Sequence, residues 1–406
     1  STSSPRPDCR CRLCCTSTAS GRRLSLIVRR MPTLLLTLFI SCIRASVLPK
    51  SAQPTAAGST YRALVAGSVG EQFRDVAKIA EVALKELAED EVLVKVVYAG
   101  VNGGCETFRA RGEFAFASNR ESDSGFALGA EGVGVVAAIG SAVEGFAEGD
   151  AVCFVGSGFA EYTTAKARTL WRVPEPTAEM AALRISGLTA CAMMEVTGQV
   201  KAGETVLVTA AAGGAGHFAV QFAKLAGCTV VGTCSSEEKA RALCALGCDH
   251  IINYKTRDVG EALARLAPGG VDVVFEGVGG RMLQTALAHL KEDGRLLQVG
   301  YISEYPHNPD RAAETAAHDL ETSSLFWKAE TIQRGKQTIY GNAWPKDFAA
   351  VAGCKQRVLD LHASGQLAAL VDEKRTFAGL ESVADAIEYM LSGEAVGKVV
   401  VRIGDP

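Results

Sequence analysis

Gly213, Gly214 and Gly216 close a turn between the apolar run Val206-Leu207-Val208 and the segment Phe218-Ala219-Val220-Gln221, giving a strand, a glycine turn and a helix in succession. The chemistry this order permits is anion binding. A turn without side chains lets the backbone approach a pyrophosphate, and the N–H groups and dipole of the helix start favour its charge. Ala211 stands where the first glycine of G-x-G-x-x-G would be, and a plain tight turn is the alternative reading. Cofactor choice is read about 20 residues on, where an acid would bind the ribose 2′-hydroxyl of NAD. That place holds Thr233, Cys234, Ser235 and Ser236, then Lys239. Hydroxyls and an ammonium accept a 2′-phosphate, so NADPH is expected rather than NADH, with Tyr254 able to close on the phosphate. Ser235 with Glu238 also fits a capping box, and Lys239 a solvated helix position.

The elements that hold these residues change character along the chain. From Tyr61 to about Ala178 the pattern is β: Arg62–Val65, Glu91–Tyr98, Val133–Ile139 and Asp150–Phe154 read as strands separated by glycine pairs and acidic turns. From Ala181 short apolar runs alternate with helical segments: Thr205–Thr209, Gly216–Ala226, Thr229–Thr233, Glu237–Leu246, His250–Asn253, Val271–Phe275, Arg281–Leu290 and Arg295–Val299. Such a run of βα units predicts a parallel sheet covered on both faces, with ligands at the strands' C-terminal ends. Ser382–Met390 carries Val383, Ala386, Ile387 and Met390 at helical spacing, and with the strand Lys398–Ile403 it is expected to complete the first module. The domains expected are a leader over 1–60, a catalytic domain over 61–180, a nucleotide domain over 181–330, and a return to the catalytic domain over 331–406.

With 406 residues, 48% of them hydrophobic and 6% aromatic, the chain can build two cores. The net charge of −3 conceals a basic leader: residues 1–60 carry eight Arg and one Lys against Asp8, so the body holds 33 bases and 44 acids. A body near −11 argues against nucleic acid as a main partner. Among 13 cysteines, Cys9, Cys11, Cys14 and Cys15 lack the second knuckle a zinc site needs, and no disulfide framework is visible. Read whole, the Arg- and Ser-rich leader suits an organelle, mitochondrion or chloroplast. Read from Met31, Leu34–Ile43 looks like a secretory signal core, and a cytoplasmic address is the third reading. That stretch is too short to span a membrane.

The glycine turn, Gly232–Lys239, Ile252–Thr256 and Gly397-Lys398-Val399-Val400 together resemble the quinone-reductase branch of the medium-chain dehydrogenase/reductase superfamily. The resemblance runs from about Tyr61 to Arg402. It implies an α/β protein in which a GroES-like β-barrel catalytic domain carries an inserted Rossmann domain, and NADPH-dependent reduction of activated C=C bonds in enones such as 15-oxoprostaglandins. It places cofactor contacts on Ala215, Ser235, Lys239, Tyr254, Gly277, Val299 and Tyr305, with Asn342, Ala343 and Trp344 near the nicotinamide. Ala215 and Gly277 stand where the family usually has Thr and Ser. Zinc-dependent relatives draw metal ligands from places that here hold Asn102, Ala130 and Glu131, and the isolated Cys105 and Cys153 cannot assemble a site, so no metal is expected. Alcohol oxidation, which needs a Lewis acid, then yields to conjugate reduction.

Asn102 is the candidate for orienting substrate or nicotinamide, because an amide donates and accepts without titrating; it also reads as a cap beside Gly103 and Gly104. Tyr340 is a candidate proton or hydrogen-bond donor, or a packing residue. His217 is expected in a supporting position or at the surface. The expected partners are a small enone or quinone and a second copy in a homodimer. Two alternatives remain: a quinone reductase acting by one-electron steps, and an NADPH-binding protein without turnover.

Overall fold

The computed structural model describes residues 59–68, 70, 72–104, 106, 126–305, 331–341 and 348–406. Residues 1–58 of the leader with its cysteines, Cys105, and Asn342, Ala343 and Trp344 lie outside the described residues, and Thr60, expected in the leader, begins the first strand.

The strands in chain order are β1 (Thr60–Ala66), β2 (Ala77–Ala83), β3 (Glu91–Gly100), β4 (Phe126–Ala127), β5 (Glu131–Ile139), β6 (Ala151–Val155), β7 (Tyr162–Lys166) and β8 (Trp171–Arg172). There follow β9 (Thr205–Val208), β10 (Thr229–Cys234), β11 (His250–Asn253), β12 (Val271–Glu276), β13 (Leu290–Gln298), β14 (Thr331–Arg334), β15 (Gln337–Gly341) and β16 (Val400–Arg402). The helices that matter here are α1 (Gly216–Leu225), α2 (Glu237–Ala245), α3 (Val259–Leu266), α4 (Gly280–Ala288), α5 (Phe348–Ala363) and α6 (Val383–Leu391).

The expected β module is present as two antiparallel sheets. One runs β2-β1-β4; the other runs β16-β3-β5-β6-β8, with β7 also pairing to β3. β16 pairs antiparallel with β3, Val400 opposite Gly100, so the last strand returns to the first module as the sequence leads one to expect. α6 joins it by the apolar stripe Val383, Ala386 and Ile387, which packs with Leu64, Phe159 and Val401 in one core.

The nucleotide domain is a seven-stranded sheet in the order β11-β10-β9-β12-β13-β15-β14, parallel except for the antiparallel hairpin β14–β15. Its strands read as near-continuous Val, Leu and Ile because both faces are covered. Val206, Val208, Val230, Val273 and Phe275 meet Phe218 and Phe222 on one side. On the other, Leu207, Val231, Val274 and Leu296 meet Leu263, Leu283 and Ala286. Two features differ from the expected limit at residue 330. The sheet continues through β14 and β15, and Cys354, Val358 and Leu361 of α5 pack into the nucleotide-domain core. The reason is local: Ile339 completes the apolar row of Leu296, a pairing of two short segments across a long connection that periodicity alone does not reveal. Among the described residues, no helix is long and apolar enough to cross a membrane.

Candidate active site

The glycine turn follows the C-terminal end of β9 and leads into α1, as its sequence requires. Gly216 lies so close to the preceding loop that a Cβ there would sit 2.3 Å from the Ala210 carbonyl oxygen, well inside contact distance. Ala210 itself takes φ 45°, a left-handed conformation uncommon outside glycine. Its amide donates to Thr233 Oγ1 at 3.2 Å, and its carbonyl accepts from Gly213 N at 2.9 Å. No side chain caps the start of α1, which leaves that helix end for an anion.

The remaining expected cofactor residues fall at the ends of neighbouring parallel strands. Ser235 and Ser236 follow β10, Tyr254 follows β11, Gly277 follows β12 and Val299 follows β13. Gly277 N donates to Thr209 Oγ1 at 2.9 Å, and Val299 N donates to the Glu276 carbonyl at 2.7 Å. Gln298, just before Val299, is buried with neither side-chain amide atom hydrogen-bonded. Tyr305, buried against Tyr301, reaches the other domain: a Cβ on Gly103 would lie 3.1 Å from its ring.

Past the end of β10 the cap of α2 is Ser236, whose Oγ accepts from Lys239 N at 3.3 Å. The capping pattern expected from Ser235 is therefore shifted by one residue, because Ser236 has the extended backbone a cap needs; Ser235 stays outside that role. Lys239 Nζ donates to the Gly393 carbonyl at 2.6 Å. Burial, and then the nearby Lys374, push the Lys239 ammonium below its ordinary range, with Lys255 adding to the effect. A bound phosphate would reverse that penalty. Lys374 pairs with Glu238 at 2.5 Å; it belongs to the C-terminal return, so nothing in the local sequence around Lys239 announces it. The exposed Tyr254 completes this rim.

Between the two domains lies a cluster that motif reading did not assemble. Lys398, 2% exposed, donates from Nζ to Glu131 Oε1 at 2.6 Å, to Asn102 Oδ1 at 2.7 Å and to Ser186 Oγ at 3.2 Å. Asn102 Nδ2 donates to Glu131 Oε1 at 2.8 Å, and Glu131 Oε2 accepts from Ile185 N at 2.7 Å. Asn102 thus stands at the seam, but its amide is engaged by the ion pair on both sides. Tyr340, on β15, packs at the margin of the nucleotide-domain core.

His217 is fully buried, so the surface half of its expected position does not hold. Its Nδ1 donates to the Gly213 carbonyl at 2.9 Å and its Nε2 accepts from Leu370 N at 3.1 Å. The next helical turn repeats the link, since Gln221 accepts from Ala368 N at 2.7 Å and donates to its carbonyl at 2.9 Å. α1 is therefore fastened to the returning chain, and Gly397 N closes the seam on the Ala212 carbonyl at 2.8 Å. Cys153 is buried, its thiol pushed up to about 12 by that burial. Among the described residues no group of three His, Cys, Asp or Glu is placed to hold a metal.

Two family models match the chain: the alcohol dehydrogenase GroES-like domain over residues 88–175 and the zinc-binding dehydrogenase domain over 214–351. A probable quinone oxidoreductase of Leishmania amazonensis is 38% identical over 85% of this chain and 98% of its own length. Prostaglandin reductase-3 of the mouse is 37% identical over 87% of this chain and 92% of its own length. Among solved structures, mycobacterial Rv1454c complexed with NADPH matches with a TM-score of 0.67 at 26% identity, over 84% of this chain and 99% of that one.

Proposed function

The chain belongs to the medium-chain dehydrogenase/reductase superfamily, and on that premise we propose that it reduces activated C=C bonds with NADPH and without zinc. The observation that carries the reading is the row of residues expected to hold the cofactor at the C-terminal ends of five adjacent parallel strands, β11-β10-β9-β12-β13, beside the buried Lys398–Glu131 pair. A nicotinamide held there would supply hydride chemistry at the β-carbon of an enone or alkenal, whose own carbonyl already polarises the double bond.

The residues present fit that cofactor. The turn at Gly213, Gly214 and Gly216 has no side chains at those three positions, and the uncapped α1 favours the charge of a pyrophosphate. Ser235, Lys239 and Tyr254, with Lys374 alongside, suit a 2′-phosphate, which an acid at the end of β10 would repel. The engaged amide of Asn102 holds the floor of the seam rigid, so that positioning rather than proton transfer is its part. Zinc independence is supported by charge. Asn102 and Glu131, at the places where zinc-dependent relatives hold ligands, bind the Lys398 ammonium, and a second cation beside it would be repelled. A homodimer is supported by β14, which among the described residues is the last strand of its sheet and has Thr331, Gln333 and Arg334 exposed, a place where a second copy could pair.

The deciding experiment follows NADPH consumption with a simple enone and with a quinone while identifying the products. A saturated ketone formed mole for mole with NADP supports the reading. Semiquinone radicals with the quinone and no turnover of the enone would favour one-electron reduction, and tight NADPH binding with no consumption would end the enzyme reading.

A further inference from the structure

We infer that Lys398 is a positioning residue for hydride transfer, acting through Asn102 and the Gly214 turn across the seam between the two domains; the inference rests on the reductase reading above. All three ammonium protons of Lys398 have acceptors, one each on Glu131, Asn102 and Ser186. Those partners come from separate parts of the chain: the second residue after β3, the start of β5, and the helical turn Leu183–Gly187. The three groups of Lys398, Asn102 and Glu131 form a closed ring, since Asn102 also donates to the same Glu131 oxygen that accepts from Lys398. A ring of this kind leaves no member free to rotate without breaking two charge-assisted hydrogen bonds.

The stem of Lys398 faces the glycine turn while its head holds Asn102. A Cβ on Gly214 would lie 3.3 Å from Lys398 Cδ and 3.3 Å from Ser186 Oγ, so both side chains stand about one atom beyond the glycine turn and leave no room for a side chain there. The backbone repeats the contact one residue earlier, where Gly397 bridges to Gly213. One residue therefore lies under the turn expected to take the pyrophosphate and holds the amide of Asn102, whose chain neighbour Gly103 faces the Tyr305 ring. A displacement of either relative to the other is a displacement of the hydride donor relative to the substrate. Fold stability alone does not demand a charged pair here, because a buried ion pair is replaceable by neutral groups of similar volume with little loss, whereas removal of one partner is costly.

That asymmetry supplies the test. Lys398→Met/Glu131→Gln removes both charges together and keeps a stem of similar length against Gly214. The full chain is compared with wild type for melting, NADPH Kd, KM and kcat for a simple enone, and the isotope effect with NADPH deuterated at the transferred position. The double variant is expected to melt and bind NADPH close to wild type, with KM little changed, while kcat falls about 100-fold, the scale of a small misplacement of reactants, and the isotope effect rises. Ser186→Ala, which removes only the third acceptor, is expected to lower kcat in the same direction by a smaller factor with unchanged KM. Wild-type kcat in either variant overturns the inference, as does a loss of kcat that merely follows lost cofactor binding or melting. A wild-type protein that binds NADPH but reduces no enone overturns the reductase reading instead, and is distinguished by the wild-type assay alone.

Discussion

Lowering the pH from neutral toward 4.5 should weaken the fold through His217. Burial pulls its imidazolium down to about 4, the bond to the Gly213 carbonyl opposes that shift, and Lys398 adds to it. In the folded chain the neutral ring is required, because Nε2 must accept from Leu370 N. A folded-state value below the ordinary 6.5 means that the unfolded chain takes up the proton first. The stability contributed is therefore complete above pH about 6.5 and is lost as pH falls through that value toward the folded one. A shift of roughly 2.5 units at about 1.36 kcal/mol each corresponds to about 3 kcal/mol, most of it gone by pH about 4.5. Urea denaturation of wild type and His217→Gln at closely spaced pH values measures it. Carboxylates titrate in the same range, so the difference between the two proteins isolates the histidine. The variant should be weaker at neutral pH by about 1 kcal/mol for the lost hydrogen bond, yet its stability should fall less steeply on acidification. NADPH Kd of the folded wild type should not change through His217 over that window and should rise only as pH approaches about 4, where the folded ring itself takes up a proton. Parallel pH slopes in the two proteins, or a His217 ring that NMR shows titrating near its ordinary value, would refute the reasoning.

Lys239→Ala should weaken NADPH binding about tenfold and leave NADH nearly unchanged, the scale of one charge-assisted contact to the 2′-phosphate; Tyr254→Phe should act in the same direction but less, and equal weakening of both cofactors would contradict the assignment. Gly216→Ala places a Cβ 2.3 Å from the Ala210 carbonyl, so the turn must open; NADPH titration should show binding lost, and retained affinity would mean the turn yields at little cost. Prolonged treatment with a strong chelator should leave enone reduction at its original rate, as a steady-state assay before and after treatment would show; a metal-restorable loss would contradict zinc independence.

The sequence by itself determined the nucleotide domain and its chemistry, because those signals are local. Strand, glycine turn and helix succeed one another within residues 205–226, and the hydroxyls and lysine at the end of β10 follow directly. β16 and α6 were legible for the same reason, a short apolar pattern with one period. The domain limit near 330 and the hairpin that carries the sheet past it were not, since pairing of β15 to β13 bridges a long connection and leaves no mark in either segment. Asn102 was visible as a polar residue beside two glycines, but not its engagement by Lys398, 296 positions away. His217 read as a supporting group, and only burial against Leu370 made it a titrating latch. Types and spacing state which groups a segment offers. Which of them become buried together, and so acquire partners, shifted proton affinities and fixed orientation, is decided where distant segments close one seam.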